Sequence, residues 1–189
     1  MHGIILSELK RFVESRQGAG AWPRLLERAG LSDARYLANE TYPDREATAI
    51  VEAAAAITND SAQALWEGFG EFMAPNLLEI YGALIRPEWH TLDVILNTER
   101  TVHTVVRIRN EGAAPPELKC VGRSADEVVL TYNSPRKLCS IAKGIGRGLA
   151  RHFGETIRIS EGACMHQGAP ACVISFKRIA GGGSEAPRR

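Results

Sequence analysis

The hydrophobic period of this chain changes near residue 105, and that change limits what it can fold into. Before it, apolar residues recur at helical spacing. After it, they come in short runs bounded by turn residues. Ile4, Ile5, Leu9, Phe12 and Val13 make the first helical stripe, within residues 2–17. A short helix follows from Trp22 to Ala29, and Gly30 stops it. Tyr42-Pro43-Asp44 is a turn, and Asp44 and Glu46 suit the N-terminus of an alanine-rich helix that runs to about Ile57. Asp60 and Gln63 form a capping box for a longer helix, roughly Ser61 to Ile85, which Pro75 should kink or break. Another helix spans about Thr91 to Thr104 and carries His103 in its last turn.

Beyond that point Val105 to Arg109 reads as irregular or extended, and Glu111 to Pro116 as a loop, because paired prolines exclude helix. Strands are expected at Glu117 to Gly122, Glu127 to Asn133, Thr156 to Glu161 and Cys172 to Ile179, with a helix from Lys137 to Phe153. The expected class is α+β. A helical N-terminal subdomain (about 1–60) packs on a C-terminal subdomain (61–179) with helices and a small antiparallel sheet. The Gly/Ser/Pro-rich tail, 180–189, is expected to be disordered.

Composition narrows the partners. Of 189 residues, 44% are hydrophobic and 24% charged, and the formal net charge is +1. No basic stripe interleaves with aromatics, which argues against nucleic acid. No apolar run approaches the roughly 20 residues that span a bilayer, which argues against a membrane protein. The N-terminal stretch has no basic region, long apolar core or cleavage site of a signal peptide, so the expected location is cytoplasmic.

The chemistry concentrates at Tyr132-Asn133-Ser134-Pro135-Arg136, after the apolar run Val128-Val129-Leu130. A phenol, a hydroxyl and a guanidinium at alternate positions share one side of an extended backbone. Such a set suits carboxylates or a phosphate, although a strand end with ordinary turn chemistry looks the same. His103, upstream on an apolar helix, adds a second element. A heme pocket needs one histidine on a rigid element, greasy walls, and cationic or hydroxyl donors for two propionates. A lone histidine on such a helix is more often a partnered structural one.

At these residues the chain resembles the H-NOX (heme nitric oxide/oxygen binding) family, in its stand-alone bacterial form. The resemblance runs to about Ile179. It rests on Met1-His2-Gly3-Ile4-Ile5 with Phe12-Val13, on Trp22-Pro23-Arg24-Leu25-Leu26, on Tyr42-Pro43-Asp44, and on a complete tyrosine-x-serine-x-arginine signature with a histidine at the family's offset. It implies heme b held between the two subdomains, His103 as the iron ligand, and Tyr132, Ser134 and Arg136 on the propionates. Pro115 matches a proline that presses on the porphyrin, and here Pro116 follows it. Ile5, Leu9, Ala74, Leu78 and Ile141 would wall the heme. Family members that bind oxygen place a tyrosine where Ile141 stands, so the ligands implied here are nitric oxide and carbon monoxide. Nitric oxide would weaken the iron–histidine bond and let the His103 helix move. With no output domain after residue 179, the expected receiver is a separate histidine kinase or cyclic-di-GMP enzyme.

Four cysteines are present, and Cys139, Cys164 and Cys172 fall in the last third. Three thiolates and one further ligand make a closed zinc site. Some H-NOX relatives carry zinc here, with a histidine where this chain has Glu161. The fourth ligand is therefore Glu161, the nearby His166, or none. Unliganded buried cysteines and a thiol redox switch are the other readings. Cys120 reads as a single buried or modifiable thiol. The leading function is a non-enzymatic heme sensor. The alternative is a zinc- or thiol-based redox signalling domain of the same fold with weak or no heme binding. No paired-carboxylate or Ser-His-Asp site supports an enzyme.

Overall fold

The computed structural model describes residues 1–109 and 112–179. Glu111 of the expected loop and the tail from Ala180 lie outside the described residues. The N-terminal half is helical: α1 Gly3–Gln17, α2 Ala21–Arg28, α3 Asp44–Thr58 and α4 Ala62–Tyr81. After a single 3-10 turn come α5 Thr91–Asn97, a π-turn Glu99–His103 and α6 Thr104–Arg109. The C-terminal half has β1 Glu117–Ser124, β2 Glu127–Asn133, α7 Cys139–His152, β3 Ile157–Ala163 and β4 Cys172–Arg178. The strands form one antiparallel sheet in the order β1-β2-β4-β3. The expected α+β layout and small antiparallel sheet are both present.

Two apolar cores form. The first packs Leu6, Phe12, Trp22, Ile50 and Phe69 from α1 to α4. The second packs Leu92 and Ile95 of α5 and Leu149 of α7 against Leu130, Ile174 and Phe176 of the sheet. Ile145 of α7 borders both. Each fully buried side chain of this size contributes roughly 1.5–3 kcal/mol.

Three local readings change. Residues 105–109 are helical, not extended. Their β-branched side chains favour strand only weakly, and an established helix runs into them. Arg107 bonds back across the π-turn to Glu99 (2.8 Å) and holds that last segment in line. The capping group of α4 is Ser61, whose hydroxyl accepts from the Ala64 amide at 3.1 Å. Pro75 does not break α4. The Glu71 carbonyl, which Pro75 deprives of its intrahelical donor, lies against Gly148 of α7.

That contact belongs to a close crossing of α4 and α7. A Cβ on Gly144 would overlap the Glu67 carbonyl, and one on Gly70 would overlap the Ile141 carbonyl. Ion pairs flank the crossing, Arg147 with Glu67 and Arg151 with Glu71. Gly144→Ala is expected to destabilise the protein by about 1–3 kcal/mol through overpacking. Gly82→Ala, at a position with open space around it, should change stability by less than about 0.5 kcal/mol. Urea unfolding of both variants checks the contrast, and equal effects would contradict it.

Candidate functional site

Between the two cores lies an apolar cavity of about 480 Å³, within the usual range for small-molecule pockets. Its walls come from α1, α4, the α5–α6 segment, the sheet and α7. Ile5, Ala74, Leu78 and Ile141 line it, and so do Pro115 and Pro116. Leu9 does not reach it and sits in the first core. Tyr81, on the same helical face as Leu77 and Leu78, also lines the cavity. Burial raises its phenol above the usual value. From the sequence, none of the four tyrosines (Tyr36, Tyr42, Tyr81, Tyr132) is expected on the gas side; the fold brings Tyr81 to the cavity wall.

His103 lines the same cavity from the π-turn. Its side chain is 13% exposed. Its Nδ1 lies 2.9 Å from Glu99 Oε2, four residues earlier. That oxygen also accepts the Leu118 amide of β1 at 3.2 Å, and Oε1 meets Arg107 Nη1 at 2.8 Å. Burial alone would raise Glu99, but Arg107 and His103 together hold it below the usual carboxylate value. Burial holds His103 below the usual imidazole value, against the opposite pull of Glu99 and of the Pro116 carbonyl. A neutral ring beside a carboxylate is best matched with its proton on Nδ1, the tautomer whose Nε2 lone pair can bind a metal.

The signature residues gather at one rim, though not as a flat three-pronged row. Strand β2 ends at Asn133, and the chain turns there. Tyr132 and Arg136 line the cavity; Ser134 is buried but does not line it. The Tyr132 hydroxyl accepts the Leu138 amide at 3.1 Å, which ties the strand to the start of α7. Ser134 Oγ accepts the Arg136 amide at 3.3 Å, a turn-shaping role. Arg136 donates to the Ala114 carbonyl, and its Nε lies 2.8 Å from Asp44 Oδ2. Asp44 also meets the Met1 ammonium at 2.6 Å. Burial alone would raise Asp44, yet these two cations hold it below the usual carboxylate value. Nothing in the sequence pattern pointed to this link between α3 and the signature loop. Apolar walls, an imidazole and a cationic rim together make a lining that a heme would fit.

A second constellation lies where the start of α7 packs on the buried face of the sheet. One ligand atom each from Cys139, Glu161, Cys164 and Cys172 falls within 4.8 Å of the others. The Cys164 and Cys172 sulfurs are 4.0 Å apart, and the Met165 amide donates to Cys172 Sγ at 3.2 Å. Glu161 also reaches Lys143 Nζ at 3.5 Å. His166 is turned away from the cluster, with its Nε2 2.7 Å from the Lys137 carbonyl. Burial raises the Cys139 and Cys172 thiols above their usual values, so both are protonated near neutrality without a metal. Cys120 stands apart, its thiol donating to the Ile95 carbonyl; burial and nearby Glu99 push it up to about 11. No helix among the described residues is long and apolar enough to cross a membrane.

Comparison with known proteins agrees with this geometry. A family model described as haem-NO-binding matches residues 2–161. The chain is similar in structure to an H-NOX protein from Shewanella oneidensis solved in the Fe(II)NO state. The two share 27% identity at a TM-score of 0.88, over 95% of this chain and 100% of that one. The Fe(II)CO state of the H-NOX domain from that organism gives 27% identity and a TM-score of 0.84, covering 95% and 99%. An unliganded Fe(II) H-NOX protein from K. algicida shares the fold at 18% identity and a TM-score of 0.85, covering 98% and 100%. No curated protein matches the chain.

The buried, protonated thiols give a direct expectation. In metal-free native protein near neutral pH, alkylation of Cys139 and Cys172 should run at least about tenfold slower than that of a free cysteine. Mass spectrometry of timed samples reads the rates, and alkylation as fast as in urea-unfolded protein would contradict the burial described.

Proposed function

This chain belongs to the haem-NO-binding family, and from that premise we propose that it is a ferrous-heme sensor of nitric oxide that signals to a separate protein. The observation that carries this reading is His103, set in the wall of an apolar cavity whose rim holds Tyr132 and Arg136. Held by His103, Tyr132 and Arg136, a bound heme would supply an iron that takes a diatomic gas. The chain's own residues do the rest. Ile5, Ala74, Leu78 and Ile141 keep the gas side aliphatic and exclude water, which suits nitric oxide and carbon monoxide over polarised oxygen. Arg136 exchanges its Asp44 and Ala114 contacts for carboxylates of the ligand. The α5–α6 segment holds His103 at one end of a network that reaches β1 through Leu118 and α6 through Arg107. A change at His103 therefore displaces a helix whose Ile108 is 77% exposed. That helix is the surface a receiver protein would read. A histidine kinase or a cyclic-di-GMP enzyme is the receiver class this reading carries.

The cysteine cluster favours a second reading beside the first. Three cysteines and Glu161 form a donor set that zinc accepts, and Tyr132 stands directly opposite Cys172 in the β2–β4 register. A metal or thiol state at the cluster would thus act on a strand that reaches the cavity. Metal analysis of protein purified without chelator is expected to find zinc in the wild type and to lose it in Cys164→Ser. Equal zinc content in both would remove the cluster from consideration.

The absorption spectrum of the heme-loaded, reduced protein tests the main reading. Nitric oxide and carbon monoxide should each shift the Soret band, and air should give no stable oxygen complex. Tyr81→Phe should leave this preference unchanged. A stable oxygenated spectrum in the wild type would overturn the gas assignment. Absence of a near-stoichiometric Soret band would overturn the heme sensor itself.

A further inference from the structure

Glu99 is the most heavily used carboxylate near the cavity, and neither the signature nor the cavity walls include it. Both of its oxygens are engaged: Oε2 with His103 Nδ1 and the Leu118 amide, Oε1 with Arg107. The π-turn explains how. Glu99 opens this turn and His103 closes it, and the Thr104 hydroxyl donates back five residues to the Glu99 carbonyl at 3.1 Å. π-turns inside helices concentrate at functional sites. The arrangement is therefore a carboxylate–imidazole pair whose carboxylate is itself anchored to a strand and to a helix.

We propose that Glu99 is the positioning residue for the iron ligand: it accepts the His103 Nδ1 proton, fixes Nε2 as the ligand atom, and makes the imidazole a stronger donor. This rests on the heme reading above. A carboxylate partner on the second ring nitrogen orients a ligating histidine and raises its basicity. More electron density on the imidazole strengthens its bond to iron and favours the ferric state. Arg107 moderates the effect, because it draws on the same carboxylate through Oε1. Glu99 would thus set how strongly His103 holds the iron. Through Leu118 and Arg107 it also couples that bond to β1 and α6.

Three measurements separate this role from a merely structural one. Nitrogen-15 NMR of the heme-free protein reads the His103 tautomer: the wild type should show Nδ1–H, and Glu99→Ala should lose that preference. If the tautomer persists in Glu99→Ala, the nearby Pro116 carbonyl suffices and the assignment to Glu99 fails. Resonance Raman and redox titration of the heme-loaded protein read the donor strength. Glu99→Gln keeps the shape and removes the charge. It should lower the iron–histidine stretching frequency and raise the reduction potential, with the melting temperature checked in parallel. Arg107→Met should move the stretching frequency the opposite way. An unchanged band and potential in folded, heme-loaded Glu99→Gln would overturn this proposal alone. A wild type that holds no heme would overturn it together with the heme sensor.

Discussion

The close crossing of α4 and α7 is the constraint on which the rest of the structure depends. Two helices approach this nearly only where side chains are missing, and Gly70, Gly144 and Gly148 supply the gaps. The approach brings Glu67 and Glu71 within reach of Arg147 and Arg151, so charge pairing on the rim follows from small residues at the centre. It also sets the spacing of the helices that follow the crossing. Ala74 and Leu78 of α4 and Ile141 and Ile145 of α7 line the cavity beside that crossing. The two apolar cores meet through this helix pair. The cavity between them is a product of backbone geometry as much as of side-chain choice.

From the crossing, the site assembles with few further devices. The π-turn aims His103 at the cavity and leaves Glu99 behind it. The turn after β2 carries Arg136 to the rim, where Asp44 at the start of α3 meets it. A first-lobe helix and a sheet-lobe loop thus share one ion pair beside the cavity. Arg136 is 21% exposed and Asp44 44% exposed, so the pair itself contributes only modestly to stability. Its weight is positional. It keeps the guanidinium at the cavity rim, where a ligand carboxylate would take the place of Asp44.

Much of this was legible in the chain and some was not, for physical reasons. Strand β2 stood out because a fully apolar run between turn residues has few other interpretations. The signature stood out because Tyr132, Ser134 and Arg136 combine three donors within five residues. Their division of labour did not, since it depends on where the strand ends. Residues 105–109 misled because local β-branching cannot register a helix already under way. Glu99 and His103 share a helical face at any reading. That Glu99 also binds Leu118 and Arg107 depends on β1 packing beside the helix, a long-range fact. Glu161 rather than His166 joins the three cysteines because the 3-10 turn after Cys164 swings the His166 ring toward the Lys137 carbonyl. Spacing alone could not choose between them.

The central claim is that this cavity holds heme through His103, and the most direct measurement removes that one ring. His103→Gly, loaded with heme, should lose the wild-type ferrous spectrum and regain it when free imidazole is added, because imidazole can enter the space the side chain left. A His103→Gly protein that keeps the wild-type ferrous spectrum without imidazole would contradict the claim, since the iron would then have another ligand.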